Sequence, residues 1–286
     1  MFKPISPLRC LVNGLLVLAG VSLLSACGGG GGSNNQTPVG NQSGVGVWQS
    51  SYVVTSGPNT GNTIKGLVLI SPTQSFYEAS INQNNGCAGV AFGQASVTGS
   101  SLSGNVNEYV VTYSTVPGVN VNCTFSDGTT SASGTISGSV FTGQSLVVTD
   151  SATTSHGLAL GSSTTTMTWS PLNAIPPSLS TVSGNYAPLN SNAATMTISS
   201  SGAVTTYASV SGCSGSGQIS IPSNTNNIYN ISVVLAGCSS AYSSLNGVTL
   251  SGLAAYDNTV TPNQLDVGLS ATVNGQVEVV AAVYHK

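Results

Sequence analysis

Charge is nearly missing from this chain of 286 residues. Asp, Glu, Lys and Arg together make up 4% of it, against about a quarter in an average soluble protein. Only Lys3, Arg9, Lys65 and Lys286 are basic. Nucleic-acid binding, which needs clustered Lys and Arg to neutralise phosphates, is therefore excluded. Histidine occurs twice, at His156 and His285, and the six cysteines show no CxxC spacing, so a zinc site has no ligand set to build on. The scarcity of Glu, Lys and Arg, all good helix formers, argues against helical domains. No Gly-x-Ser-x-Gly elbow, phosphate loop, dinucleotide fingerprint, haem motif or DxDxDG calcium loop occurs, and no cofactor is expected.

What fills the chain instead is Ser, Thr, Asn and 35 glycines, with 40% hydrophobic residues. That hydrophobic share is enough for a core. Thr and Val sit well on a pleated surface, so the composition points to an all-β protein. The segment 173–180, with Pro176 and Pro177 adjacent, reads as an extended linker. It separates a module at 45–172 from one at 181–286. The first opens on Gly46-Val-Trp48 and the second on Gly184-Asn-Tyr186. Each has a Cys with Gly two positions on (Cys87, Gly89; Cys213, Gly215), then a second Cys, then a glycine-rich strand ending at Gly138 or Gly252. This is the pattern of a diverged duplication.

Strands in the second module are expected at 182–187, 194–199, 203–210, 216–221, 228–235, 247–256, 264–271 and 276–284. Turn signals separate many of them, among them Asn246-Gly247 and Asn274-Gly275, since Asn-Gly is the preferred two-residue hairpin turn. Eight short antiparallel strands per module suffice for a small barrel, and a sandwich is the other option. The first module fits the same scheme with longer loops, including the Ser/Thr-rich stretch 149–168.

Residues 1–26 have the three parts of an export signal: Lys3 and Arg9, an apolar run from Leu11 to Leu24, then small residues. The end, Leu24-Ser25-Ala26-Cys27, resembles the lipobox of bacterial lipoproteins. That resemblance implies cleavage before Cys27 and acylation of Cys27 on its thiol and its new amine, palmitate included. With Gly28 rather than Asp next, it also implies sorting to the outer membrane of a Gram-negative cell. The membrane is thus an expected partner through the N-terminal lipid. Two or three acyl chains anchor firmly where one does not. Residues 27–44 are rich in Gly, Ser, Asn and Gln and read as a flexible tether, with a reach of about 20–25 Å by random-coil scaling.

Removal of Cys10 with the signal and use of Cys27 for lipid leave Cys87, Cys123, Cys213 and Cys238, which allow three pairings. Pairing within modules, Cys87–Cys123 and Cys213–Cys238, is the economical choice if the halves fold separately. Such bonds persist in the oxidising periplasm or at the cell surface.

Catalytic constellations are poorly represented. His156 with Asp150 is one conceivable start of a triad, and Glu78 with Glu108 is one conceivable carboxylate pair, yet nothing local marks either. Most acids read as solubilising residues on strand faces or in turns. The expectation is a non-enzymatic binding or structural module that recognises a protein or glycan, either adhesin-like at the cell surface or facing the periplasm. Trp48, Tyr52, Tyr109, Tyr113, Tyr207, Tyr229 and Tyr242 are available for stacking or for packing. A lipocalin-like carrier of a small apolar ligand and a hydrolase inhibitor are the alternatives. The layout of lipobox, polyglycine and tandem β-modules is also similar to the transferrin-binding and factor-H-binding surface lipoproteins. That likeness is architectural and implies surface display without a particular ligand.

Overall fold

The computed structural model describes residues 44–53, 61, 63–82, 87–112, 123–141, 145–188 and 194–286. Cys10, Cys27, the export signal and nearly all of the tether lie outside the described residues, as does Tyr113.

Each module is a closed antiparallel barrel of eight strands joined in sequence order. Barrel 1 consists of β1 (Gly46–Val53), β2 (Thr63–Ile70), β3 (Ser75–Asn82), β4 (Cys87–Thr98), β5 (Ser101–Thr112), β6 (Ser131–Phe141), β7 (Ser145–Thr154) and β8 (Ala159–Trp169). Barrel 2 consists of β9 (Gly184–Pro188), β10 (Ala194–Ile198), β11 (Ala203–Ala208), β12 (Ser214–Ser220), β13 (Tyr229–Ala236), β14 (Thr249–Asp257), β15 (Gln264–Val273) and β16 (Gln276–His285). Trp48 opposite Trp169 closes the first barrel, and Tyr284 opposite Pro188 closes the second. Closure removes every sheet edge and decides between barrel and sandwich.

The alternation in sequence sets which way the strands face. Along β13, Tyr229, Ile231, Val233 and Leu235 are buried inside, while Asn230, Ser232, Val234 and Ala236 point outward. Along β6, Ala132, Ile136 and Val140 are buried between exposed Ser133, Thr135 and Ser137. Apolar residues thus fill the interiors and Ser, Thr, Asn and Gln clothe much of the outside, the reverse of a barrel that sits in lipid. Among the described residues no helix is long and apolar enough to cross a membrane.

The two barrels repeat one construction in detail. Trp48 and Tyr186, each third in its opening strand, are buried. Each donates its polar tip to the carbonyl four residues earlier: indole Nε1 to Gly44 O at 2.8 Å, phenol Oη to Val182 O at 2.6 Å. The glycines two positions before them share φ +150°. A Cβ at Gly46 would lie 2.5 Å from the Trp169 ring, and one at Gly184 2.7 Å from Lys286 Cε. The disulfides Cys87–Cys123 and Cys213–Cys238 each join the start of a barrel's fourth strand to the loop after its fifth. The loops they close, 36 and 25 residues, correspond to roughly 3–4 kcal/mol each in the chain-entropy account. Thr-Ile-Ser-Gly138 and Thr-Leu-Ser-Gly252 take equivalent places in the sixth strands. Cβ atoms there would sit 2.0 Å from Val147 O and 1.9 Å from Gly268 O, which marks both as sites of close backbone approach.

Several local expectations are corrected. Residues 149–168 are not a loop: β7 and β8 run through them with only a turn at 155–158. Alternate residues such as Ala152, Thr165 and Met167 are buried, while Ser and Thr cover the outer face. The first strand of barrel 2 starts at Gly184, because 179–182 form the helical turn α1, capped by the Ser178 side chain. Asn246-Gly247 does not form a two-residue hairpin turn. Asn246 ends the 3-10 turn Ser240–Leu245 with φ −63°, so only Gly247 is left-handed there. Asn274-Gly275, with φ +52° and +75°, does close β15 onto β16.

Replacement of Gly138 or Gly252 by Ala is expected to destabilise its barrel by about 2 kcal/mol or more in urea unfolding. The exposed Ser216→Ala change in β12 should stay within about 0.5 kcal/mol.

Candidate functional site: the cleft between the barrels

The outer faces of β1–β4 are the exception to a polar exterior. Val47, Leu69, Tyr77 and Val90 are buried there in one cluster with Ile228, Leu253, Ala255 and Ala281 of barrel 2. The cluster is the seam that joins the barrels. At its centre Tyr77 lies against Gly268, where a Cβ would come within 2.2 Å of the phenol ring.

The segment 173–180 takes part in this seam and does not hang as a free connection. Leu172 of the 3-10 turn Pro171–Ala174 belongs to the cluster. Asn173 uses its side-chain amide as a strand would use its backbone, accepting from Val47 N at 2.9 Å and donating to Val47 O at 2.7 Å. Farther on, Ser178 N donates to the Tyr229 hydroxyl of barrel 2 at 2.9 Å. Both ends of the linker are hydrogen-bonded to a barrel, and its prolines have no sheet to interrupt.

Beside the seam the two curved surfaces diverge and leave a cleft of about 670 Å³. Barrel 1 contributes Phe92, Gln94, Asn105 and Asn107 from β4 and β5. Barrel 2 contributes Gln218, Asn230, Ser232, Ser251 and Ser270 from β12 to β15, and Tyr77 with Gly268 forms the back. No charged side chain lines it. Some of the polar groups are already held in place. The Gln94 backbone N–H donates to Asn105 Oδ1 at 3.1 Å, Gln94 Nε2 to Ser75 Oγ at 3.2 Å, and Ser251 Oγ to Ser232 Oγ at 3.3 Å. The Phe92 and Tyr109 rings stack at 5.5 Å with planes 4° apart, an aromatic pair on the outer face of β4 and β5.

The acids lie elsewhere, and the expectation that most of them solubilise the surface is corrected. Glu78 stands on β3 between Val68 and Ala91, and Glu108 stands on β5 between Ala91 and Ala132, all on the inward face of barrel 1. Asp150 shares that face opposite Ile136. The Glu78 carboxyl is pushed up to about 7 by burial, against the Ser50 hydrogen bond at 3.4 Å and with the Asp150 charge adding to the rise. Burial likewise pushes Glu108 up to about 7, with the charges of Asp150 and Glu78 contributing. Asp266, on the face of β15 that carries Gly268, is pushed up to about 7 by burial, although Gln264 Nε2 donates to it at 3.0 Å. Asp127 and Asp257 behave as turn residues, each accepting from the backbone N–H and the hydroxyl of the Thr two positions on; in Asp127 the effect on the carboxyl is clear. Some desolvation acts on it, but hydrogen bonds from Thr129 and Thr154 hold it down to about 2.

The remaining expected residues separate from one another. His156 is exposed in the β7–β8 turn while Asp150 faces the barrel interior. Trp48 and Tyr229 are core residues, and Tyr242 packs against the barrel 2 core from outside. Tyr52 lies on β1. Tyr207, with Val210, stands exposed at the mouth of an apolar cavity of about 80 Å³ inside barrel 2, beside Cys213. Among the described residues, no group of three His, Cys, Asp or Glu side chains could hold a metal ion. Sequence reasoning missed the cleft because Phe92, Asn107 and Asn230 come from strands that only the docking of two barrels brings together.

The protein belongs to the class of tandem eight-stranded antiparallel barrels joined by an apolar seam. Comparison of the chain with family models, with characterised proteins and with solved structures gave no match.

The buried carboxylates give stability a definite pH dependence. Between the ordinary carboxylate range and about pH 7, folded Glu78, Glu108 and Asp266 hold protons that the unfolded chain has released. Stability therefore falls as pH rises through that window. Thermal melting should show a higher Tm at pH 5 than at pH 8, and Glu78→Gln should raise Tm at pH 8 and flatten the slope, by roughly 1–3 kcal/mol. A Tm that falls toward acid over this window would contradict the placement of these groups.

Proposed function

We propose that this chain is an outer-membrane lipoprotein that binds its ligand in the inter-barrel cleft and catalyses no reaction. The observation that carries the reading is the cleft itself: about 670 Å³, lined without charge, between two rigid closed barrels. That volume lies within the range of ligand sites, roughly 300–1,000 Å³. A hydrolase would need carboxylates along the cleft, but Glu78, Glu108 and Asp150 are on the inward face of barrel 1, Asp266 is in the seam, and the cleft lining contains no Asp or Glu.

The anchor rests on the sequence Leu24-Ser25-Ala26-Cys27 and the glycine-rich stretch after it. Lipid on Cys27 holds the barrels near the membrane, and the tether gives the cleft freedom to meet a ligand at the cell surface or in the periplasm. The carrier reading draws on the barrel 2 cavity, whose lining is apolar and whose mouth exposes Tyr207 and Val210. A space of about 80 Å³ is smaller than the engineered 150 Å³ cavity that admits benzene. A lipid needs several times more, so the cleft is the better site.

Two measurements test the reading. Cys27→Ser should abolish palmitate labelling and release the protein from membranes, and labelling that persists would overturn the anchor. A photo-crosslinking residue placed at Asn107 or Ser232 should capture a partner in intact cells, whereas one at Thr205, an exposed residue of β11 away from the cleft lining, should not. Equal capture from all three positions, or none from the cleft, would contradict the assignment.

A further inference from the structure

Building on the cleft as the binding site, we infer that its ligand is a neutral oligosaccharide. The first argument is charge. No lining residue is charged, so a sulfated, phosphorylated or uronic chain would find no partner there. The two described lysines do not supply one. Lys65 is exposed on β2, and the Lys286 ammonium donates to the carbonyls of Thr181 and Ser183.

The second argument is hydrogen-bonding type. Sugar hydroxyls both donate and accept, and carboxamides and hydroxyls answer both needs. Gln94, Asn105 and Asn107 on one wall face Asn230 and Ser232 on the other. The third is the aromatic wall. Phe92, stacked on Tyr109 with planes 4° apart, offers a flat apolar surface to the C–H face of a pyranose ring. At the back, the buried Tyr77 hydroxyl has no hydrogen-bond partner among the described residues. Such groups are rare in native structures; burial closes this one off from the cleft, so the lining amides and hydroxyls carry the recognition.

The same features disfavour a polypeptide. Closed barrels have no edge for strand addition, and an amphipathic helix wants an apolar groove. The cores of protein interfaces are depleted in Ser, in which this cleft is rich.

The test uses the full chain, purified in a detergent that carries no sugar headgroup, on an array of neutral gluco-, galacto-, manno- and N-acetylhexosamine oligosaccharides with sialylated, sulfated and uronic chains beside them. At least one neutral oligosaccharide should bind. Phe92→Ala should weaken that binding at least tenfold, and Asn230→Trp, which fills the cleft from the opposite wall, should abolish it. Melting curves establish that each variant is folded, and the two substitutions lie on different barrels, so one can fail without the other. Binding confined to acidic chains, or neutral binding untouched by either folded variant, would overturn the inference. A blank array together with cross-linking of a polypeptide from Asn107 and Ser232 would refute the glycan while leaving the cleft as a binding site. A blank array with no cross-link would refute both.

Discussion

A missing side chain holds the two halves of this protein in register. Gly268 has no Cβ, and the Tyr77 ring occupies the space where one would stand. Around that contact, Val47, Leu69 and Val90 of one barrel meet Leu253, Ala255 and Ala281 of the other. Burial of apolar area provides the attraction, and the fit of ring to backbone sets where the surfaces can meet. The cleft follows directly. Two convex barrels that touch along one line must diverge beside it, and the amides and hydroxyls of β4–β5 and β12–β15 are what they turn toward each other. A seam displaced by one strand would leave the same residues scattered over two separate surfaces.

Each barrel reaches that arrangement by the same internal means. The aromatic of the opening strand is buried and tied back to its own approach segment, the last residue of the eighth strand or the residue after it covers a glycine, and a disulfide staples the start of the fourth strand to the loop after the fifth. Eight strands give an interior just wide enough for side chains to fill. Barrel 2 fills its interior almost entirely with apolar groups. Barrel 1 accepts Glu78, Glu108 and Asp150 on its inward face, and burial works against the ionisation of the two glutamates. No described lysine compensates them, since Lys65 and Lys286 are engaged with solvent and with α1 respectively. The sequence similarities between modules are therefore matched by equivalent positions in space, which is the mark of a repeated unit.

Much of this arrangement is legible in the amino-acid sequence. Turn residues separate the strands of barrel 2, and Met196-Thr-Ile198 and Val277 to Val283 alternate cleanly, so those strands fall within a residue or two of their expected places. The tract 149–168 reads as a loop in sequence because Ser and Thr serve equally in loops and on the outer face of a barrel, and only the buried Ala152, Thr165 and Met167 tell them apart. The acids misled for a related reason. A lone Glu among Val, Ala and Ser has the same local pattern whether its strand face is turned in or out, and only register settles it. Least legible was the cleft, because nothing near Phe92 in sequence announces Asn230. Docking between repeats is a property of surfaces, and sequence periodicity reports chiefly on cores.

The central claim, that the seam fixes one relation between the barrels and so creates the cleft, is open to direct measurement. Spin labels on the exposed Thr135 of barrel 1 and Ser216 of barrel 2 report the distance between the barrels in solution. The account predicts a single narrow distance distribution for the protein. With Gly268→Leu, which drives a side chain into Tyr77, the distribution should broaden while each barrel remains folded. A broad distribution in the unsubstituted protein, or a narrow one that Gly268→Leu leaves unchanged, would contradict it.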